Sequence, residues 1–376
     1  MPGEVSASRA DRVTRVIGIP TREDGGDVVH RRELLAGLVG LTGAAVLGGP
    51  TAAAAPAGLR SASELLTQRM EAFLVGPAAA GMPVPMAELS RSVARSRALF
   101  ERCRYGELAA AVPELVSAAE ATAARGAGRT REVASRLVAE TYQIASELCV
   151  KLNEDGLALA AADRARAAAR ASGDPTAIAG SARSVAIALR RLGHRDGATR
   201  LLTSTATALD IERRAASSSA LGSYSSLMCT AAYALAQQGR RPSALELIGE
   251  AEQAADRLGR RDSRLGAATR ARTGVYRIGI HTALGDSGAA LLHASKVDRR
   301  LLPTQERQAR FLVDTSRAWE AHGRVDKAHV LLRAAERVAP EELRRPSVSA
   351  FVAGLLYGPG PHPAGLGSLA TRLGVA

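Results

Sequence analysis

Apolar residues recur at helical spacing in long stretches from residue 60 onward, and short polar turns separate these stretches. In each unit a long stretch ends at a turn residue, and an alanine follows five residues later as the next stretch begins. The turn and alanine pairs are Arg104/Ala109, Asn153/Ala158, Gly193/Ala198, Gly239/Ala244, Gly285/Ala290 and Gly323/Ala328. Successive turn residues lie 38 to 49 residues apart, a range typical of stacked helix-pair repeats.

The turn residue and the alanine have separate physical roles. Glycine or asparagine adopts the left-handed conformation that ends a helix, and alanine lets the next helix pack closely. Each unit is therefore predicted to be a helical hairpin, which cannot bury its apolar face alone and must stack on its neighbours. The pattern predicts an all-α solenoid of about six hairpins with a concave and a convex side. The stretch "PEELRRPSVSAFVAGLLYG" is predicted to form one closing helix.

Composition supports a helical protein that has no disulfide framework. Alanine, leucine and arginine dominate the 376 residues, whereas aromatic residues make up only 3%. The three cysteines, Cys103, Cys149 and Cys229, lie far apart without a CxxC pair, so neither disulfides nor a zinc site is indicated. We expect each to be a small core residue, which favours a reducing compartment.

The net charge of +13 comes from an excess of arginine. Such a charge fits a nucleic acid or an acidic membrane surface as partner. However, arginines such as Arg190, Arg240 and Arg260 lie at expected helix ends, where cations complement the helix dipole. We favour this second interpretation for residues 58–376 and expect no membrane partner.

The residues of the second half resemble a known family. The stretches "AAYALAQQGRRPSALELIGEAEQAADRLG", "VYRIGIHTALGD" and "FLVDTSRAWEAHGRVDKAHVLLRAAERVAPEELRRPSV" are similar to the C-terminal tetratricopeptide-like domain of actinobacterial XRE-type transcriptional regulators. The likeness covers about residues 60 to 375. It implies a tetratricopeptide-like solenoid that senses a ligand or contacts a partner, joined in that family to an N-terminal helix-turn-helix head that binds DNA.

The chain departs from that family at its front. A helix-turn-helix domain needs about sixty residues, whereas only some thirty precede "HRRELL". The segment "MPGEVSASRADRVTRVIGIP" resembles only the tail of such a head. The resemblance therefore implies DNA binding only if an intact head is supplied upstream. We expect three regions: a truncated head and apolar linker over 1–57, the repeat domain over 58–357, and a Gly/Pro loop with a short terminal helix over 358–376.

Two interpretations of the linker remain open. Arg31 and Arg32, the apolar stretch from Leu34 to Gly49 and the "APA" that ends at Ala57 fit a twin-arginine export signal cleaved near Ala57. In the other interpretation, which the acidic leader "TREDGGD" and the free cysteines favour, the segment is a hinge in a cytoplasmic protein. At 16 residues the apolar stretch is too short to span a membrane.

No motif for catalysis, metal or cofactor binding is present in the sequence, because it contains no HExxH, GxxxxGK[ST] or GxSxG pattern. The histidines lie at turns without carboxylate or cysteine partners at ligand spacing. We therefore expect a binding protein rather than an enzyme, with no catalytic residue, metal or cofactor. The exported alternative would be a helical scaffold protein.

A candidate ligand groove emerges when the hairpins are aligned on the glycines at 193, 239, 285 and 323. Positions nine and thirteen residues before each glycine share one helical face, which a stacked solenoid is expected to turn toward its concave side. The polar residues there are Ser184, Ser226, Thr230, Arg272, Tyr276, Arg310 and Asp314. They predict a groove for a peptide, a small molecule or a protein partner, and the alternative is an ordinary solvated surface. A homodimer of the chain is a separate expectation.

Overall fold

The computed structural model describes residues 64–71, 81–212, 216–359 and 362–375. Residues 64–71 are helical. The helices that follow are α1 (Met86–Glu101), α2 (Tyr105–Arg125), α3 (Gly128–Leu152), α4 (Asp155–Ser172), α5 (Pro175–Arg191), α6 (Arg195–Ala208), α7 (Ser218–Ala236), α8 (Arg241–Gly259), α9 (Ser263–Ala283), α10 (Ser287–Ser295), α11 (Gln305–Ala321), α12 (Val325–Val338), α13 (Pro340–Leu343), α14 (Pro346–Tyr357) and α15 (Leu366–Leu373). A 3-10 turn, Arg299–Leu301, joins α10 to α11. The described part contains no strand, so the all-α prediction is confirmed.

The helices α1 to α12 pack as six consecutive hairpins, in the manner of tetratricopeptide-like repeats. The first helix of each hairpin also contacts the first helix of the next, in the order α1, α3, α5, α7, α9 and α11. These six helices form the inner layer of the solenoid. Helix α11 in turn contacts α1, so the inner layer closes on itself.

The turns inside the hairpins have the predicted geometry in five of six cases. Asn153 and the four glycines at 193, 239, 285 and 323 have φ between 69° and 94°. The alanines five residues later are fully buried. In the first hairpin the prediction was wrong by one position: Cys103 has φ 56°, whereas Arg104 has φ −91° and precedes α2. Neither Cys103 nor the residue on either side of it is glycine or asparagine, so nothing in the sequence marks the left-handed residue.

The single closing helix predicted over the stretch that begins at Pro340 was also wrong. The structure forms two helices there, α13 and α14, because Arg345 is extended with ψ 140° and Pro346 begins α14. A residue that precedes proline is disfavoured in the helical region, so the first helix ends before it. Helix α15 then packs against α14 near the end of the chain.

A buried ion-pair network joins the first half of the solenoid to its end. The Nζ atom of Lys151 in α3 lies 3.0 Å from Oε2 of Glu342 in α13 and 2.5 Å from Oε1 of Glu306 in α11. The hydroxyl of Tyr105 in α2 donates to Glu342 at 2.6 Å, and Arg345 contacts the same carboxylate. This network lies beside the contact that closes the inner layer.

The predictions for the N-terminal part of the chain concern residues outside the described ranges. These are the truncated head and linker over 1–57 and the twin-arginine segment with its cleavage near Ala57, which stay predictions. No helix in the described part is long and apolar enough to cross a membrane.

Candidate binding channel

The inner layer lines two adjoining open cavities of about 250 and about 230 Å³. The first lies between α1, α3, α9 and α11, and the second lies between α3, α5, α7, α9 and α11 with the start of α14. Phe100, Glu147, Glu306 and Arg307 line both cavities. We call the two cavities together the channel.

The channel carries an excess of positive charge. Three carboxylates line it, those of Glu101, Glu147 and Glu306. Three further carboxylates, those of Asp155, Asp314 and Glu342, contact its basic groups. The ten basic side chains that line it are Arg97, Lys151, Arg183, Arg190, Arg191, Arg272, Arg307, Arg310, Arg317 and Arg345. Ten cations against six carboxylates give the channel a net excess of four positive charges, and some carboxylates are shared by two cations.

Tyr276 lines the second cavity and contacts a cation from another helix. The Arg183 guanidinium donates to the Tyr276 hydroxyl at 3.0 Å and to the Thr230 hydroxyl at 3.1 Å. Its other end lies 3.7 Å from the carboxylate of Glu147. Arg183 on α5 thus links α3, α7 and α9 across the inner layer.

The pKa of Tyr276 reports the charge of this region. Burial by itself raises the pKa, but the guanidinium groups of Arg183 and Arg307 outweigh burial and lower the pKa from its ordinary value of 10 to about 7. Positive charge stabilises a phenolate in the same way that it stabilises any bound anion. This part of the channel is therefore an environment that favours negative charge.

Two arginines of the channel have no carboxylate partner among the described residues. Arg190 stacks on Tyr233 with its guanidinium carbon 5.1 Å from the ring centre and donates to Gln237 at 2.7 Å. Arg272 donates only to the backbone oxygen of Gly222, at a long 3.4 Å. In both residues the Nε atom is buried and has no hydrogen-bond acceptor in the described part of the chain.

Asp314 forms ion pairs with two arginines of the channel. Its carboxylate accepts from Arg310 at 2.6 Å and lies 3.8 Å from Arg317. Arg317 also lies over the ring of Phe351, with its guanidinium carbon 5.4 Å from the ring centre. Burial and the proximity of Arg310 lower the pKa of Arg317 even with Asp314 beside it.

The structure brings most of the groove residues named from the sequence to the channel. Ser184, Thr230, Arg272, Tyr276 and Arg310 line it. Asp314 is buried behind Arg310. Ser226 contributes its backbone oxygen to the Thr230 hydroxyl at 2.9 Å rather than a side chain to the channel. Whether these residues bind a ligand stays a prediction.

Sequence reasoning missed the residues that continue the same helical face. Positions two and six before the turn residue extend the face defined by positions nine and thirteen, because 13, 9, 6 and 2 follow the helical repeat. The channel residues at these two positions include Glu147, Lys151, Tyr233 and Arg317. Arg345 and Glu342 have no such local signal, since only the closure of the inner layer brings them near Lys151.

The histidines and cysteines of the described part form no candidate metal site. No group of three or more histidine, cysteine, aspartate or glutamate side chains there could hold a metal ion. His281 and His293 stack with ring centres 5.0 Å apart. The three cysteines are free and buried, and burial raises the pKa of the Cys149 thiol to about 12. They are core thiols, as the sequence predicts.

Comparison with known proteins gives similarity in fold only. No protein-family model matches the chain, and no curated protein matches it. Solved structures with a similar fold include a Rap protein complexed with competence and sporulation factor, with 13% identity, a TM-score of 0.47, and coverage of 77% of this chain and 88% of that one. They also include BtubC from P. vanneervenii, with 16% identity, a TM-score of 0.39, and coverage of 74% and 94%.

Proposed function

We propose that the repeat domain is a non-enzymatic binding module that captures an acidic peptide, or an acidic extended segment of a partner protein, in the channel. The observation that carries the proposal is the excess of four positive charges on the inner layer. A buried or half-buried cation without a counter-charge is costly, so an anionic ligand would stabilise it.

The dimensions of the channel favour an extended segment over a compact ligand. Each cavity, at about 230 to 250 Å³, is smaller than most drug-sized ligand sites, which occupy about 300 to 1,000 Å³. Because the two cavities adjoin at Phe100 and Glu147, neighbouring side chains of one segment can occupy both. A folded domain is too large to enter.

The biological role that we propose is that of a sensor. The resemblance to XRE-type regulators supports a domain whose occupancy controls a DNA-binding head, and DNA binding would then require that head. The closed inner layer supports the same role, because a ligand that enters it contacts helices from the first hairpin to the last.

The experiment is a titration by fluorescence anisotropy. The probes are a fluorescent oligo-glutamate peptide and an oligo-glutamine peptide of equal length, both with amidated C-termini. We expect binding of oligo-glutamate that weakens with salt, and little binding of oligo-glutamine. Arg190→Gln removes a channel cation without removing the partner of a carboxylate and should weaken binding severalfold. The matched control is Arg195→Gln, because Arg195 is exposed on α6, which does not line the channel.

Equal binding of the two peptides, or equal binding by the two variants, would contradict the proposal. Tight binding of a small anion without binding of the peptide would show that the channel binds a small ligand instead of a peptide. Circular dichroism of both variants checks that they retain the fold.

A further inference from the structure

Three arginines from three helices influence one another where the two cavities adjoin: Arg272 lines the first cavity, Arg183 lines the second together with Tyr276, and Arg307 lines both. Arg183 comes from α5, Arg272 from α9 and Arg307 from α11. Arg272 precedes Tyr276 by four residues, so both lie on one face of α9. Arg183 contacts Tyr276 directly at 3.0 Å, and Arg307 lies close enough to influence its ionisation.

The three arginines differ in whether a nearby carboxylate balances their positive charge. Arg183 lies 3.7 Å from Glu147, and Arg307 lies 3.2 Å from Glu306. Among the described residues, no carboxylate lies within ion-pair distance of Arg272, whose Nε is buried without an acceptor. One guanidinium group in this trio is therefore uncompensated.

Repulsion among the three groups is visible at Arg272. Burial lowers its pKa, and the guanidinium groups of Arg307 and Arg183 lower it further. Because arginine stays charged in proteins, this repulsion persists until an anion enters. Tyr276 lies one turn of α9 away from Arg272 and is itself favoured as an anion by Arg183 and Arg307.

We infer that Arg272, with Arg183, Arg307 and the Tyr276 hydroxyl, forms a subsite for one carboxylate of the ligand. The inference rests on the proposed function of the channel and names the group that the channel recognises. The Nε and a terminal nitrogen of Arg272 form the planar pair that a carboxylate accepts in a bidentate manner. The Tyr276 phenol can donate a further hydrogen bond to the same carboxylate.

The charge of the subsite selects a carboxylate over a phosphate. Arg183 and Arg307 each contact a carboxylate, so Arg272 is the one arginine of the three without a counter-charge. A carboxylate carries one negative charge, whereas a phosphate monoester carries nearly two at neutral pH. The single charge of Arg272 therefore matches a carboxylate more closely than a phosphate.

Three probes distinguish the sources of the carboxylate. Oligo-glutamate with an amidated C-terminus supplies side-chain carboxylates only, oligo-glutamine with a free C-terminus supplies one terminal carboxylate, and inorganic phosphate supplies neither. We expect Arg272→Gln to raise the Kd of the carboxylate probe that binds by about tenfold or more, the effect of losing one charge-assisted hydrogen bond. Arg195→Gln is the matched control and should leave Kd unchanged.

The ionisation of Tyr276 gives a second measurement that needs no arginine variant. The near-ultraviolet absorbance of tyrosinate in the wild type, minus that in Tyr276→Phe, follows this residue. A carboxylate bound in the subsite repels the phenolate, so saturation with the carboxylate probe should raise the pKa of Tyr276. Binding elsewhere in the channel would leave it unchanged.

The outcomes separate the subsite from the function of the channel. If oligo-glutamate binds the wild type and folded Arg272→Gln equally, and the pKa of Tyr276 does not change, the subsite is wrong while the channel function stands. If neither carboxylate probe binds, the function itself fails. If inorganic phosphate alone raises the pKa of Tyr276, the assignment to a carboxylate is overturned.

Discussion

Lys151 and Glu342 are 191 residues apart in the sequence, yet the Lys151 Nζ atom lies 3.0 Å from both oxygens of the Glu342 carboxylate. Glu342 is fully buried, and Lys151 is 6% exposed. Their pair joins α3, in the second hairpin, to α13, which follows the last hairpin. It holds the end of the solenoid against its first half, beside the second cavity, which Lys151 lines.

Glu342→Gln should destabilise the protein. The substitution keeps the shape and the acceptor for Tyr105 but leaves Lys151 and Arg345 short of one negative charge. Loss of one partner from a buried ion pair costs about 3 to 5 kcal/mol, and Glu306 should offset part of this for Lys151. Urea unfolding gives the change in the free energy of unfolding. The control is Glu320→Gln, because Glu320 is exposed on α11; equal stability of the two variants would show that the pair does not stabilise the closure.

Acid should open the same network. Burial raises the pKa of the Glu342 carboxyl, but Arg345 and Lys151 outweigh burial and hold it below its ordinary range. The same balance holds for Glu147, where Arg97 and Arg183 lower the pKa. A folded pKa below the unfolded pKa gives stability that is present above the unfolded pKa, about 4.3 for glutamate. The free energy of unfolding should therefore fall as the pH drops below about 4, and a profile that stays flat below that pH would contradict these contacts.

Substitution of glycine by alanine should have opposite effects on stability at two positions, Gly266 and Gly249. A Cβ added at Gly266 in α9 would lie 2.2 Å from the Cα atom of Gly259 in α8, so the two helices would have to separate. At Gly249, on α8, an added Cβ meets nothing within 4 Å. Gly266→Ala should destabilise by about 1 to 3 kcal/mol through overpacking, whereas Gly249→Ala should stabilise by about 0.5 to 1 kcal/mol. Thermal melting of the two variants checks the sign, and a shared sign would contradict the helix contact.

The fold could be predicted largely from local sequence signals. Each hairpin is defined by a left-handed turn and a small buried alanine, as at Gly239 and Ala244, and both signals are confined to a few residues. The first turn was misplaced because Cys103 adopts the left-handed conformation without being glycine or asparagine. That conformation depends on packing, which no local pattern records.

The channel could be predicted only in part. Helical periodicity placed Thr230 and Tyr276 at equivalent positions on the inner faces of α7 and α9, because the face of a helix follows from residue spacing alone. The excess of charge could not be predicted, since it depends on which carboxylates reach which arginines. Glu342 illustrates this limit: it compensates Lys151 only because the inner layer closes through the contact of α11 with α1.

The contacts of Arg310 change how the groove should be probed. From the sequence, Arg310 is one of the polar residues of the predicted ligand groove. In the structure its Nε atom lies 2.6 Å from the buried carboxylate of Asp314. Arg310→Ala should therefore lower the free energy of unfolding by about 1 to 3 kcal/mol, with Arg317 at 3.8 Å supplying a weaker substitute partner. Arg190→Gln, which leaves no carboxylate unpaired, is the control, and urea unfolding of both should show the larger loss for Arg310→Ala.

The stability contributed by Tyr276 should grow with pH. Several groups face its hydroxyl: Arg183 on α5 and Arg307 on α11 favour the phenolate, Cys229 on α7 disfavours it, and Thr230 on α7 favours it by a hydrogen bond. Glu147 and Glu306, which contact these arginines, reduce their effect. Although burial raises the pKa of Tyr276, the two arginines lower it to about 7, below the ordinary value of 10.

The sign follows from comparing the folded and the unfolded chain. Between pH 7 and pH 10 the unfolded chain keeps the phenol proton while the folded protein has lost it, so stability rises with pH in that window. The free energy of unfolding of the wild type minus that of Tyr276→Phe should rise by up to about 1.4 kcal/mol per pH unit, and should be flat below about pH 6. Guanidinium unfolding is unsuitable, because its salt screens the arginines; urea unfolding at a series of pH values is the measurement. A difference that stays constant through this window would mean that Tyr276 ionises at its ordinary pKa, and that Arg183 and Arg307 do not make this part of the channel favour an anion.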